Sequence, residues 1–286
     1  MNWLQALLGI GKKPKQPTQN GFALCVGLNA VNPNFYEGWD GKLNACENDA
    51  NAMQHYLTSR GFHVTKLLTA EATCAAVLLK LRDYATLAQP GDTVVFTNSS
   101  HGGQVPDYDN TEADRMDETI CMYDGQIIDD SLEAAWARFK PGVRLVFVSD
   151  SCHSGTVARA AFSAHTRYVN TAEGSKAMPM ATQLEVAAAN NLYYRVQKEE
   201  AQRAHSEIAA SVLALGACQD NQTALDGTVN GAFTGALLDV LRGSNTLDYG
   251  RTIVAVRRAL PPSQTPSYTY AGPRLYDFEH SPAFSI

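Results

Sequence analysis

No two cysteines in this chain are spaced C-x-x-C, no block of lysine or arginine stands out, and no apolar run approaches the length of a membrane span. The first absence removes the zinc-ribbon reading. The second, with a formal net charge of −6, speaks against a nucleic-acid partner. The third leaves no membrane span, because Met1 to Ile10 is mildly apolar but too short and interrupted. That start also lacks the basic residues and small-residue cleavage site of a secretory signal, and reads as a short amphipathic start followed by a flexible linker. There is no internal repeat. The six cysteines, at 25, 46, 74, 121, 152 and 218, form no framework of close pairs and suit a reducing, cytoplasmic compartment. What remains is ordinary globular composition: 286 residues, 45% hydrophobic and 18% charged, enough for a sizeable core.

Within that core, strands alternate with helices. Continuous apolar runs at Phe22 to Leu28, Thr93 to Thr97, Val143 to Val148 and Ser211 to Ala217 read as buried strands, and His63 to Leu68 is strand-like. Ala45 to Arg60, Ala72 to Leu87, Asp129 to about Phe139, Gly231 to Leu241 and Tyr249 to Leu260 read as helices. Thr119 to Ile128 reads as a hairpin turning at Asp124-Gly125. This alternation predicts an α/β fold with a mostly parallel central sheet flanked by helices. Residues 156–210 are richer in alanine and polar residues and predict an insertion on the sheet, with one long helix from Leu184 to Ser206. The expected organisation is an N-terminal extension over 1–20 and one domain over 21–286. Its parts are about 21–155, the insertion at 156–210, and 211–286.

Cys152 and His101 carry the chemical signal. The cysteine lies in Ser149-Asp150-Ser151-Cys152-His153-Ser154-Gly155, just past one buried strand. The histidine lies in Ser99-Ser100-His101-Gly102-Gly103, just past another, 51 positions earlier. Ligands of open α/β sheets sit beyond the carboxyl ends of the strands, so neighbouring strands would bring the two side chains together. Their order and spacing are those of caspase-type cysteine peptidases. A thiolate attacks a peptide carbonyl while histidine moves the proton, and the N–H groups of Gly102 and Cys152 would form an oxyanion hole. A buried, inert cysteine is the competing reading of Cys152 alone. His153 reads as structural, since successive residues point apart.

These motifs resemble those of metacaspases and their bacterial relatives, the orthocaspases. Leu43-Asn44-Ala45-Cys46-Glu47-Asn48-Asp49-Ala50, Asp117-Glu118-Thr119-Ile120, Ala217-Cys218-Gln219-Asp220-Asn221-Gln222 and Gly231-Ala232-Phe233-Thr234 are similar to further family segments. The resemblance covers about Gly21 to Gly272 and implies a caspase-like (caspase-hemoglobinase) fold. It also implies a Cys152–His101 endopeptidase acting on protein or peptide substrates, with no organic cofactor. It assigns Cys46, Asp49, Ser99 and Asp150 to the first specificity pocket. Two carboxylates there favour a cationic side chain, hence cleavage after Arg or Lys. Asp49 also reads as a carboxylate at a helix N-terminus, and Asp150 as a structural hydrogen-bond acceptor beside a turn.

The resemblance further implies calcium at an aspartate cluster. Asp114, Asp117, Glu118, Asp129 and Asp130 offer the oxygen ligands calcium takes, and Asp117, Asp129 and Asp130 match the family positions. A further family aspartate would fall near Arg159, a departure, and Asp129 and Asp130 also read as caps of the following helix. The insertion carries Arg159, Arg167, Lys176, Arg195, Lys198 and Arg203, any of which an Arg/Lys-specific enzyme would find in its own chain. Docking of the N-terminal start onto the domain or onto a regulatory partner is an open alternative reading of Met1 to Gly21. The alternative to an active peptidase is a caspase-like interaction or scaffold protein with little proteolysis.

Overall fold

The buried apolar runs assemble into one six-stranded sheet, with the candidate residues at its carboxyl edge. The structure is a computed structural model that describes residues 19–107, 115–152, 174–218, 222 and 224–286. The start expected at Met1 to Ile10 and its linker, together with Asp114, His153, Arg159 and Arg167, lie outside the described residues. In chain order the elements are β1 (Gly21–Gly27), α1 (Cys46–Ser59), β2 (His63–Leu68), α2 (Cys74–Leu87), β3 (Thr93–Ser99), β4 (Gly102–Pro106), β5 (Met116–Met122), β6 (Gly125–Ile128), α3 (Asp129–Trp136), β7 (Arg144–Asp150), α4 (Met180–Ala189), α5 (Asn191–Ala204), β8 (Ser211–Gly216), α6 (Ala232–Gly243), α7 (Tyr249–Ala259), β9 (Ser267–Ala271) and α8 (Tyr276–His280).

The large sheet has the order β2-β1-β3-β7-β8-β9 and is parallel except for β9, which runs antiparallel to β8. Both faces are covered, which is why its central strands β1, β3, β7 and β8 are buried and largely apolar rather than alternating. Ala23, Cys25, Val95, Val146, Val148, Leu213 and Leu215 pack with residues of α1, α6 and α7. Leu24, Val26, Val94, Phe96, Leu145, Phe147 and Val212 face the other way, onto α2 and α3. The fold is the expected mostly parallel α/β sheet between two helical layers.

Register is what matters for the site. β3 and β7 are direct neighbours, and Ser99 pairs with Asp150 at their ends. His101 and Cys152 each follow two residues later, so the chain leaves the sheet at the same level in both places.

Several local expectations are corrected. The hairpin turns at Tyr123-Asp124, because Met122 pairs with Gly125 and closes a two-residue loop. The Asp124 side chain is used instead at the start of α2, accepting the Cys74 N–H at 2.8 Å. The single helix expected over Leu184 to Ser206 is two helices, α4 and α5, broken at Asn190. The Asn190 side-chain amide donates to the Phe35 carbonyl at 3.2 Å and the Val186 carbonyl at 3.0 Å, tying the break to a loop before α1. Strand β4 begins immediately after His101 and forms a second, antiparallel sheet with β5 and β6. Neither β4 nor β9 nor α8 is expected from the sequence. The stretch 174–204 lies outside the six-stranded sheet. It nevertheless passes directly through the candidate site.

Candidate active site

His101 is held from two sides. The loop between β1 and α1 packs the Trp39 ring against the imidazole, centroids 4.7 Å apart, and the Gly41 carbonyl oxygen lies 3.1 Å from Nε2. The Tyr36 hydroxyl fixes that loop by donating to the Met122 carbonyl at 2.8 Å. A carbonyl only accepts, so Nε2 carries the proton and Nδ1 keeps its lone pair. Nδ1 has no hydrogen-bond partner among the described residues. Burial pushes the imidazole down to about 4, with nearby Lys176 adding to the fall and the Gly41 carbonyl opposing it. The ring is therefore neutral near pH 7, with a free basic nitrogen.

Cys152 is 1% exposed. Its sulfur receives the Ala224 N–H at 3.2 Å, and the Ser175 hydroxyl is 3.9 Å away. Gly102 runs against the Cys152 backbone, and a Cβ there would lie 1.9 Å from the Cys152 carbonyl oxygen. No residue but glycine fits. Both proposed oxyanion donors, Gly102 N–H and Cys152 N–H, point at one acceptor, the Lys176 carbonyl oxygen, at 2.9 and 3.5 Å.

Lys176 thus occupies the site, and its side chain continues into the predicted pocket. Its Nζ lies 3.1 Å from Asp150 Oδ1, 3.3 Å from Asp49 Oδ2 and 3.0 Å from Ser99 Oγ. The lysine is fully buried. The carboxylates are themselves fixed. Asp49 accepts from Ser99 Oγ at 2.7 Å and from Asn230 Nδ2 and Gly231 N–H, both at 2.9 Å. Asp150 accepts from Thr234 N–H at 3.0 Å and Thr234 Oγ1 at 2.6 Å. Burial alone would lower the Lys176 ammonium, but the carboxylates of Asp150 and Asp49 outweigh it and hold it protonated. Asp49 is raised by burial, against the pull of Lys176 and with the push of Asp150. Burial likewise pushes the Cys46 thiol up to about 12, so it lines the pocket as a neutral group. Gly231 forms one wall, since a Cβ there would come within 2.5 Å of the Lys176 ammonium.

The backbone around Lys176 is docked as a strand. Lys176 N–H donates to the Ala224 carbonyl at 3.0 Å, Met178 N–H to the Gly102 carbonyl at 2.8 Å, and Asp226 N–H to the Gly174 carbonyl at 2.8 Å. Ala177 bridges to Gly102 in parallel and Ser175 to Leu225 antiparallel. The structure therefore gathers Cys46, Asp49, Ser99, His101, Gly102, Asp150 and Cys152 around one segment of the chain itself. Sequence reasoning missed Ala224, Asn230 and the Trp39–Gly41 loop, which contribute a backbone group, an amide and packing respectively.

Asp117, Asp129 and Asp130 come together elsewhere, with one oxygen from each lying within 4.8 Å of the others. The position among them is taken by the Lys198 ammonium, at 2.8 Å from Asp117 Oδ1, 2.5 Å from Asp130 Oδ2 and 3.7 Å from Asp107 Oδ1. Burial pushes the Asp117 carboxyl up to about 7, while Lys198 opposes this and Asp130 and Asp107 add to it. With an ammonium in their midst, the residues as arranged do not fit a calcium ion.

Comparison with known proteins agrees with this geometry. Residues 21–277 match the caspase domain family. The chain belongs to that family of cysteine-type endopeptidases. It is 32% identical to metacaspase-1 of Mycosarcoma maydis over 88% of this chain and 70% of that protein. It spans 56% and 64% of two further metacaspases, at 30% identity. A Geobacter sulfurreducens protein of known crystal structure is 41% identical, with a TM-score of 0.81 over 93% of this chain and 99% of the other. Caspase-1 from Spodoptera frugiperda shares the fold at 12% identity, with a TM-score of 0.54 over 90% of this chain and 88% of that one. Caspase-like peptidases need no organic cofactor and act on proteins. Among the described residues, no helix is long and apolar enough to cross a membrane.

Proposed function

We propose that this chain is an endopeptidase that cuts after lysine or arginine, and that its first substrate is its own Lys176–Ala177 bond. The observation that carries the reading is the docking of Lys176: ammonium between Asp49 and Asp150, carbonyl oxygen on the N–H groups of Gly102 and Cys152. Peptidases need this combination. A buried pair of carboxylates selects a cation through charge-assisted hydrogen bonds. Backbone donors aimed at the carbonyl oxygen stabilise the negative charge that develops there. In this reading His101 Nδ1 takes the Cys152 thiol proton and the sulfur attacks the Lys176 carbonyl carbon. The carbon–nitrogen bond to Ala177 then breaks as the imidazolium returns the proton to the leaving amine, and water hydrolyses the thioester.

The same contacts make the uncut chain an inhibited form, because no outside side chain enters the pocket while Lys176 fills it. The six cysteines, all free and buried, accord with a reducing, cytoplasmic setting. The test is mass spectrometry and N-terminal sequencing of purified protein beside its Cys152→Ala variant. A new fragment beginning Ala177-Met178, formed only with Cys152 present, is the expected result. An intact chain under all conditions, or equal cutting in the variant, refutes the proposal.

A further inference from the structure

The acidic cluster supplies an inference that goes beyond peptide cleavage. We propose that Lys198 is a built-in cation, standing where a divalent metal would sit among Asp117, Asp129 and Asp130, so that this chain keeps its second sheet and α5 together without calcium.

The residues make the case. Three carboxylates that converge within 4.8 Å, with Asp107 close by, demand a positive charge in their midst. Hard cations such as calcium answer that demand at oxygen distances of roughly 2.3–2.6 Å. The ammonium of Lys198 already lies 2.5 and 2.8 Å from two of the three aspartates, and the side chain is 3% exposed. Two cations do not share that volume.

Delivery of the lysine is built in as well. It projects from the middle of α5, and α5 is fastened to the sheet by neighbours on the same face. Gln126 Nε2 donates to the Tyr194 hydroxyl at 2.5 Å, Gln197 Nε2 donates to the Gln126 carbonyl at 2.8 Å, and Ser131 Oγ donates to Gln197 Oε1 at 3.4 Å. Asp117 lies on β5 and Asp129 and Asp130 open α3. The lysine therefore joins three elements, which is the structural work a bound ion would do. A tethered ammonium does it without a dissociation equilibrium, so the joint does not vary with the calcium level.

The test uses full-length protein carrying Cys152→Ala, titrated with calcium by calorimetry and melted with and without millimolar calcium. The parent is expected to take up no calcium and to melt at one temperature in both conditions. Lys198→Met is expected to melt lower, to bind calcium, and to regain melting temperature when calcium is added. Lys198→Met with Asp117→Asn is expected to lose that calcium response. Calcium uptake by the parent that Asp117→Asn abolishes overturns the proposal. So does a Lys198→Met protein that melts like the parent or ignores calcium. If Lys198→Met does not fold alone, refolding in millimolar calcium decides: recovery supports the proposal and failure sinks it. Both readouts are independent of proteolysis, so the inference stands or falls separately from the cleavage reading.

Discussion

Two buried lysines from one stretch of chain enter two clusters of aspartates, and the contrast between them bears on which basic residue the proposed enzyme would cut. Lys176 meets Asp49 and Asp150, and Lys198 meets Asp117 and Asp130 at similar distances. Judged by charge, the two sites are alike. They differ in the backbone. At Lys176 the main chain is extended, and its carbonyl oxygen rests on two N–H groups beside a cysteine. At Lys198 the main chain is inside a helix, and its carbonyl is turned along the helix axis. In the proposed reading a carboxylate pair selects the side chain, while an open strand edge beside the thiol selects the bond. Arg195 and Arg203, the other described basic residues of this stretch, are exposed within α5 and have neither.

The comparison is open to direct attack. The largest expected effect is that of Cys152→Ala, which should slow the cut at Lys176 by about four orders of magnitude or more, read from fragment appearance on gels. Next, Lys176→Met should reduce cutting at this bond by roughly a hundredfold or more, because it leaves two buried carboxylates without a cation. Lys176→Arg should preserve the cut, and Lys198→Arg should not alter it. Asp150→Asn should lower kcat/KM on arginine peptides by a similar factor of roughly a hundred.

His101 sets a pH-dependent effect. Its folded value of about 4 lies below its ordinary value of 6.5. Between the two, His101 binds more protons in the unfolded chain than in the folded one, so its own contribution to stability should rise with pH from about 4 to 6.5 and level off above. The span is on the order of 3 kcal/mol. Asp117, raised to about 7, and Asp49, also raised, pull the other way over the same range, so the readout is the difference in urea midpoint between the parent and His101→Gln, which should move in favour of the parent as pH rises. The cleavage rate should keep its neutral base down to about pH 4. The smallest effect belongs to Thr234→Val, which removes one hydroxyl donor from Asp150 and should cost about 1 kcal/mol, a several-fold drop in kcat/KM. Equal losses at Thr234 and Asp150 would blur the distinction between the group that meets the substrate and the group that holds it.

The sequence was most informative where burial is continuous. Phe22 to Leu28, Thr93 to Thr97 and Val143 to Val148 are apolar because both sheet faces are covered, and they locate β1, β3 and β7 to within a few residues. The pairing of Ser99 with Asp150 follows from neither run alone. Strand β9, at the sheet edge, is only partly buried, so Ser267 to Ala271 lacks the unbroken apolar character of the central strands. β4 was hidden because Gly102 and Gly103 read as a loop, although their backbone is paired with β5. The break between α4 and α5 depends on a contact of Asn190 with Phe35, 155 positions away, which no local pattern encodes. For the site, residue types and spacing singled out Cys152 and His101, while the carboxylates Asp49 and Asp150 came from the resemblance to metacaspases. Lys176 was one basic residue among six in its stretch, and only the backbone bonds to Gly102 and Ala224 set it apart.

The docked segment also fixes the kinetics of the first cut. Lys176 is joined to the nucleophile by the intervening chain and to α4 on its other side, so it meets the pocket at an effective concentration of roughly millimolar, whatever the dilution of the protein. Self-cleavage should therefore be first order, with a half-life unchanged on dilution. A free peptide must outcompete that tethered ligand until the bond breaks. Once it breaks, Lys176 is anchored on one side only and ends in a carboxylate, a poorer fit to donors that had held a neutral carbonyl within a continuous strand. In the proposed reading the docked strand is a timer as well as a plug: the enzyme would become available to others only after one unimolecular event inside each molecule.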